Sequence, residues 1–193
     1  GSFAQTSEHT IREQLDSIRV DGGLYVITSD GRKLDVSQAF DLLHSSTDVP
    51  SKNSPEMLTS LRTNIVNDSD MRILIGGLIS ASDSPKVSGT LEEACLTVES
   101  HKPLYIAGGY GGVGALLARE LGIVADSCFP PIPRLDKLSK QDRAIIGRIK
   151  RVWRPTLDGL SKNERRRMAL THRPSEMVSL MLTGITDICR SKE

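Results

Sequence analysis

At 193 residues, with 38% hydrophobic and 25% charged side chains, the chain can bury one sizeable core and shows no apolar run long enough to span a membrane. Its three cysteines, Cys95, Cys128 and Cys189, stand far apart without a CxxC pair, which excludes a disulfide framework or zinc site of the usual spacing and fits a cytoplasmic protein. The net charge of +1 hides an asymmetry: residues 1–129 hold 10 Lys+Arg against 17 Asp+Glu, and residues 130–193 hold 15 against 7, so the tail is basic.

The opening Gly1-Ser2-Phe3 has neither part of a signal peptide and reads as an expression scar on a piece of a longer protein. Ile11, Leu15 and Ile18 recur at helical spacing among charged residues, predicting an amphipathic helix over 6–19. Leu24 to Thr28 predicts a strand, Ser29-Asp30-Gly31 a turn, 36–44 a short helix and 45–53 a polar loop. Ser54-Pro55-Glu56 then supplies an N-cap, a first-turn proline and a first-turn acid for a helix buried through Met57, Leu58, Leu61 and Ile65.

Arg72 to Gly77 predicts a strand ending in paired glycines, followed by a polar loop over 78–88. Thr90-Leu91-Glu92-Glu93 matches a capping box, with Thr90 as N-cap and Glu93 at the third helical position, and Pro103 stops that helix near His101. Leu104 to Ala107 predicts the next strand, Val113 to Leu121 a helix closed by Gly122, and Ile123-Val124-Ala125 a short last strand. Pro130, Pro131 and Pro133 form a stiff connector to helices over 136–152, 161–169 and 175–189. The alternation predicts an α/β fold of three layers around a mostly parallel sheet, with an α-helical C-terminal segment. We expect one domain over 1–193: a glycine-loop core over 3–129, then the connector and helices of 130–193.

A buried parallel strand that ends in glycines and feeds a helix leaves backbone N–H groups at the positive end of the helix dipole, where phosphate prefers to sit. This chain has two such transitions back to back between Arg72 and Gly122. Gly109-Tyr110-Gly111-Gly112-Val113-Gly114 is a literal GxGxxG, with Asp126 placed as an acid for a ribose, and alone it suggests a nicotinamide-dependent reductase. Against that, only a helical, proline-broken tail follows it. Some of its glycines, Gly112 and Gly114 above all, serve turning and close packing. Gly89-Thr90 offers a second phosphate seat, and Glu93 one turn on can hold a ribose hydroxyl, act as a base, or serve only the capping box. Lys86 on the loop is the preferred cation for a pyrophosphate, Arg72 at a strand start reads as structural, and Tyr110 can stack on a base or ribose. His9, His44, His101 and His172 are scattered and predict no catalytic histidine, and no metal site is expected. The basic runs 143–154 and 165–167 read as solvated helix faces or an oligomer contact rather than a nucleic-acid surface.

The order Ile73-Leu-Ile-Gly76-Gly77, a loop with Lys86, Gly89-Thr90-Leu91-Glu92-Glu93, then Lys102-Pro103-Leu-Tyr-Ile-Ala-Gly108-Gly109-Tyr110-Gly111-Gly112 resembles the SLOG superfamily of Rossmann-like sensor domains. The tail stretches Leu157–Met168 and His172–Gly184 resemble those of SLOG domains attached to TIR or sirtuin-like effectors in bacterial immunity. The resemblance implies a homodimeric or higher-order Rossmann-like module that binds ADP-ribose, a cyclic ADP-ribose variant or a related nucleotide, and switches an attached effector in anti-phage defence. It implies no resident cofactor. Ligand contacts are expected from Gly76, Gly77, Lys86, Ser88, Gly89, Thr90, Glu93, Gly108, Gly109, Tyr110 and Gly111, with Asp30 approaching from the first turn. In related LOG phosphoribohydrolases a PGGxGTxxE motif and a separate arginine cleave nucleoside monophosphates. Here Gly89-Thr90 and Glu93 survive while 85–88 depart from the pattern, and Arg62 and Arg72, the nearest arginines upstream, do not match the family's arginine, so a LOG-like hydrolase acting through Glu93 is the alternative and catalysis is not the first expectation.

Overall fold

The computed structural model describes residues 25–28, 32–35, 38, 41, 55–80 and 87–191, in two compact units, 1–65 and 66–193. The predicted helices over 6–19 and 36–44 fall wholly or largely outside the described residues. In the first unit β1 (Tyr25–Ile27) pairs antiparallel with β2 (Lys33–Asp35), Val26 opposite Leu34. The hairpin is closed where Thr28 N–H donates to Arg32 O at 2.9 Å and Arg32 N–H to Thr28 Oγ1 at 3.0 Å. The sequence reading expected the turn but not the return strand, because Lys33-Leu34-Asp35 carries a single apolar residue. Helix α1 (Pro55–Asp68) ends this unit and enters the next.

The second unit is built on β3 (Arg72–Ile75) and β4 (Leu104–Ala107), paired in parallel with Leu74 opposite Ile106. Every residue of β4 is buried, as expected for a parallel strand covered on both faces. Its side chains alternate. Leu104 and Ile106 enter a cluster with Leu74, Leu91, Val98, Val113, Leu116 and Ile149, whereas Tyr105 and Ala107 enter one with Leu160, Met168, Met177 and Leu180. The first cluster joins α2 (Gly89–Glu99), α3 (Gly112–Glu120) and α4 (Lys140–Val152). The second joins α5 (Lys162–Leu170) and α6 (Pro174–Arg190). The molecule is thus a mostly helical α/β protein with six helices and a small parallel sheet among the described residues.

Two expectations are corrected here. Ile123-Val124-Ala125 is not a strand: the N–H groups of Ile123 and Val124 both donate to Ala118 O, so the segment is spent closing α3 behind Gly122. α2 begins at Gly89 with Ser88 as N-cap, so Thr90 lies inside the helix and the Thr90–Glu93 capping box does not form. The Ser88 hydroxyl makes no cap hydrogen bond and donates instead to Leu78 O at 2.8 Å.

Tail and sheet meet closely at the Tyr105 ring. A Cβ on Gly184 of α6 would lie 2.9 Å from the Tyr105 hydroxyl and 2.3 Å from Asp158 O, so only glycine lets α6 approach. That hydroxyl is buried with no partner among the described residues, and burial, then the nearby Asp158 charge, push its pKa up to about 12. A group that keeps its proton longer when folded contributes stability below its ordinary value of 10, which is lost as pH rises toward 12. Tyr105→Phe is expected to be neutral or to stabilise by about 1 kcal/mol at pH 7, since a lone buried hydroxyl is removed, and to shrink the alkaline loss. Urea unfolding at pH 7 and pH 11 checks both; a clear destabilisation at pH 7 sinks the idea.

Candidate functional site

At the carboxyl ends of β3 and β4 the two glycine loops are joined backbone to backbone. Val113 N–H donates to Gly77 O at 3.0 Å and Gly114 N–H to Gly76 O at 2.8 Å. Gly112 makes this possible: a Cβ there would lie 2.1 Å from Gly77 O, and its φ is +58°. The first turn of α3 is therefore spent inside the protein, and only the Gly112 N–H is left over.

The start of α2 is different. Among the described residues, no oxygen accepts from the N–H groups of Gly89 and Thr90, nor from those of Gly77 and Leu78. Gly77 links these groups, for a Cβ on it would touch the Thr90 side chain at 2.8 Å while its carbonyl meets Gly112. The Thr90 hydroxyl is likewise without a partner among the described residues. Gly76 (φ +61°) and Gly111 (φ +75°) both face open space where a Cβ would stand. The arrangement is a patch of backbone donors at the positive end of a helix, floored by glycine.

The other expected contacts divide. Gly108 and Gly109 face the tail: a Cβ on Gly108 would meet Ala169 O at 2.9 Å, and one on Gly109 would meet Thr171 O at 2.3 Å. The Tyr110 hydroxyl donates to His172 O at 2.8 Å, and its ring lies 6.0 Å from the His172 ring, centroid to centroid, leaving the residue 45% exposed at the rim. Glu93 is paired with Arg72 at 2.5 Å, both partly buried. Ser88 is buried, its backbone held from below. Asp30 and Lys86 lie outside the described residues. Asp126 is exposed and 3.3 Å from Arg119 in a 3₁₀ turn, so it is not an acid placed at a strand end for a ribose.

Sequence reasoning missed three features at this end. Leu78, 89% exposed, follows the paired glycines and was read only as the start of a loop. The Gly112 N–H was assigned to packing together with its Cα. Asp142, distant in sequence, holds Ser88, and only its place three residues after Ser139 signalled a special role. Away from the loops, a groove of about 420 Å³ beside α5 is lined by Arg166, Arg167, Thr171 and Glu176 among others. There the Thr171 hydroxyl and then Arg167 hold the Glu176 carboxyl below its usual range, a strap within the tail that contains no glycine-loop residue.

Parallel strands running into glycine loops at helix N-termini define a Rossmann-like, nucleotide-related class of domain. The profile of the family described as SLOG cluster2 matches residues 25–129, and the chain belongs to that SLOG family. Searches of curated proteins and of solved structures found no match. The matched stretch contains both glycine loops; α4, α5 and α6 lie beyond it.

The glycines make a graded prediction. Gly112→Ala drives a methyl into Gly77 O and breaks the tie between loops, at a cost of about 3 kcal/mol. Gly111→Ala meets open space and costs about 1–2 kcal/mol for its backbone alone, since φ +75° with ψ −154° is a region kept almost entirely to glycine. Denaturant midpoints of the two variants check the order, and equal losses would contradict it.

Proposed function

We propose that this chain is a ligand-sensing domain that binds a nucleotide-derived signal, ADP-ribose or a cyclic variant of it, and regulates an attached effector domain in anti-phage immunity. The observation that carries the reading is the open first turn of α2 beside Gly77 and Gly112, which presents N–H groups with no protein acceptor among the described residues. A pyrophosphate seated there is held by Gly77, Leu78, Gly89, Thr90 and Gly112. Tyr110 at the rim offers a face to a base or ribose, and Lys86 supplies the cation. The sheet covered on both faces supports the Rossmann-like sandwich that such a ligand needs. Assembly as a homo-oligomer belongs to the same reading, since it gives a signal bound at one site a route to paired effectors.

Thermal shift and calorimetric titration with ADP-ribose, its cyclic isomers, NAD and nucleoside monophosphates test it. Ligand at a hundred times its Kd adds about 2.7 kcal/mol of stability. Gly111→Ala, which puts a methyl on the open floor, is expected to weaken the response about tenfold or more, a loss of about 1.4 kcal/mol. Silence toward the whole panel would refute the reading.

One observation favours a second reading, a LOG-like phosphoribohydrolase: the fold brings an arginine, Arg72, onto the motif acid Glu93. The pair also occupies the acid, which counts against Glu93 as a free general base. Release of free base from a nucleoside monophosphate, lost in Glu93→Gln with ligand binding intact, distinguishes the hydrolase from the sensor. Binding without turnover leaves the sensor.

A further inference from the structure

Two tail helices open with the same pattern, a serine followed three residues later by an acid, yet only one uses it locally. In α5 the capping box is complete: Glu164 N–H donates to Ser161 Oγ at 3.2 Å and Ser161 N–H to Glu164 Oε2 at 2.9 Å. In α4 the Asp142 N–H donates to Ser139 Oγ at 3.0 Å, but the Asp142 carboxylate does not return to Ser139. It reaches across to the loop after β3 instead. Oδ1 accepts from Ser88 N–H at 3.0 Å and Oδ2 from Ser80 N–H at 3.3 Å. The residue is 0% exposed and has no salt bridge among the described residues. Its compensation is two backbone N–H groups and the positive end of α4.

A buried carboxylate held this way is costly unless both N–H groups stay in place, so it fixes them as firmly as they fix it. Ser88 is the N-cap of α2, and the next two residues are Gly89 and Thr90. We propose that Asp142 is the positioning residue of the phosphate seat: it sets Ser88, and with it the free N–H groups of Gly89 and Thr90, and couples that seat to the tail through α4. The inference rests on the nucleotide reading above and adds the residue that sets its affinity from outside the matched family stretch.

The test uses the full chain, with Asp142→Asn and Asp142→Ala titrated with ADP-ribose and followed by amide hydrogen exchange without ligand. Alanine removes both acceptors, whereas asparagine keeps one and turns an NH₂ toward the other N–H. The ADP-ribose Kd is expected to rise about tenfold or more in Asp142→Ala, and less in Asp142→Asn, the size of a hydrogen bond to a charged group. Exchange at Ser80, Ser88 and Glu92, whose N–H groups are bonded to Asp142 or to Ser88 O, should accelerate in both variants while α6 keeps its wild-type protection. Should Asp142→Ala not fold, Asp142→Asn gives the same readouts. Binding within about twofold of wild type, or exchange that accelerates evenly through α6, makes Asp142 a merely structural acid and overturns the proposal. If wild type ignores ADP-ribose, the nucleotide reading falls for that ligand, and exchange at Ser80, Ser88 and Glu92 decides separately whether Asp142 positions the segment.

Discussion

Two hydrogen bonds, from Val113 and Gly114 N–H to the carbonyls of Gly77 and Gly76, decide which helix has an end to offer a ligand. They spend the first turn of α3 within the protein, and the later glycines of the GxGxxG run let the two loops come within hydrogen-bonding distance. A dinucleotide fingerprint works the other way round, with its glycines drawing the helix N-terminus up to a pyrophosphate. The same letters therefore perform a different task here. The anion-attracting end belongs to α2, whose Gly89 and Thr90 N–H groups are left open by the very loop that closes α3.

The tail is part of this arrangement and not an appendage. Tyr105 and Ala107 of β4 find their apolar neighbours in Leu160, Met168, Met177 and Leu180, so one face of the sheet is covered by residues beyond 130. The second glycine loop is shaped from the same side, with Gly108 and Gly109 against the backbone of 169–171 and Tyr110 bonded to His172 O. The α5–α6 junction is bonded to the Tyr110 rim, and α4 is bonded to Ser88. Each glycine loop thus has its own connection to the tail.

Much of this was legible in the residues. The apolar runs ending in glycine at Gly76-Gly77 and Gly108-Gly109 announced two parallel strands, and Pro103 and Gly122 marked stops close to where they fall. The family assignment rests on the same stretch. What was not legible was the destination of polar groups. Thr90 and Glu93 satisfy the capping-box pattern, yet a long-range competitor won: Arg72, 21 residues back, takes the Glu93 carboxylate, while Ser88 starts the helix. Likewise Lys33-Leu34-Asp35 has too little periodicity to announce a strand, and it forms one because the closed Thr28–Arg32 turn delivers it to its partner.

The two buried aspartates of the tail show how such competition separates scaffold from site. Asp158, 3% exposed, is met by Arg165 at 2.6 and 2.7 Å and by Leu160 N–H at 2.8 Å, all within seven residues, so its charge is balanced locally and fixes the turn before α5. Asp142 has no such cation, and its carboxylate partners lie 54 and 62 residues away. An apolar residue with a locally capped loop would fill that position at lower cost, since buried charge without a partner charge rarely adds net stability. What the apolar residue cannot do is hold two backbone N–H groups at one fixed separation. The charge therefore makes sense as geometry: it sets the ends of the loop between β3 and α2, and through Ser88 it sets the direction in which the first turn of α2 faces.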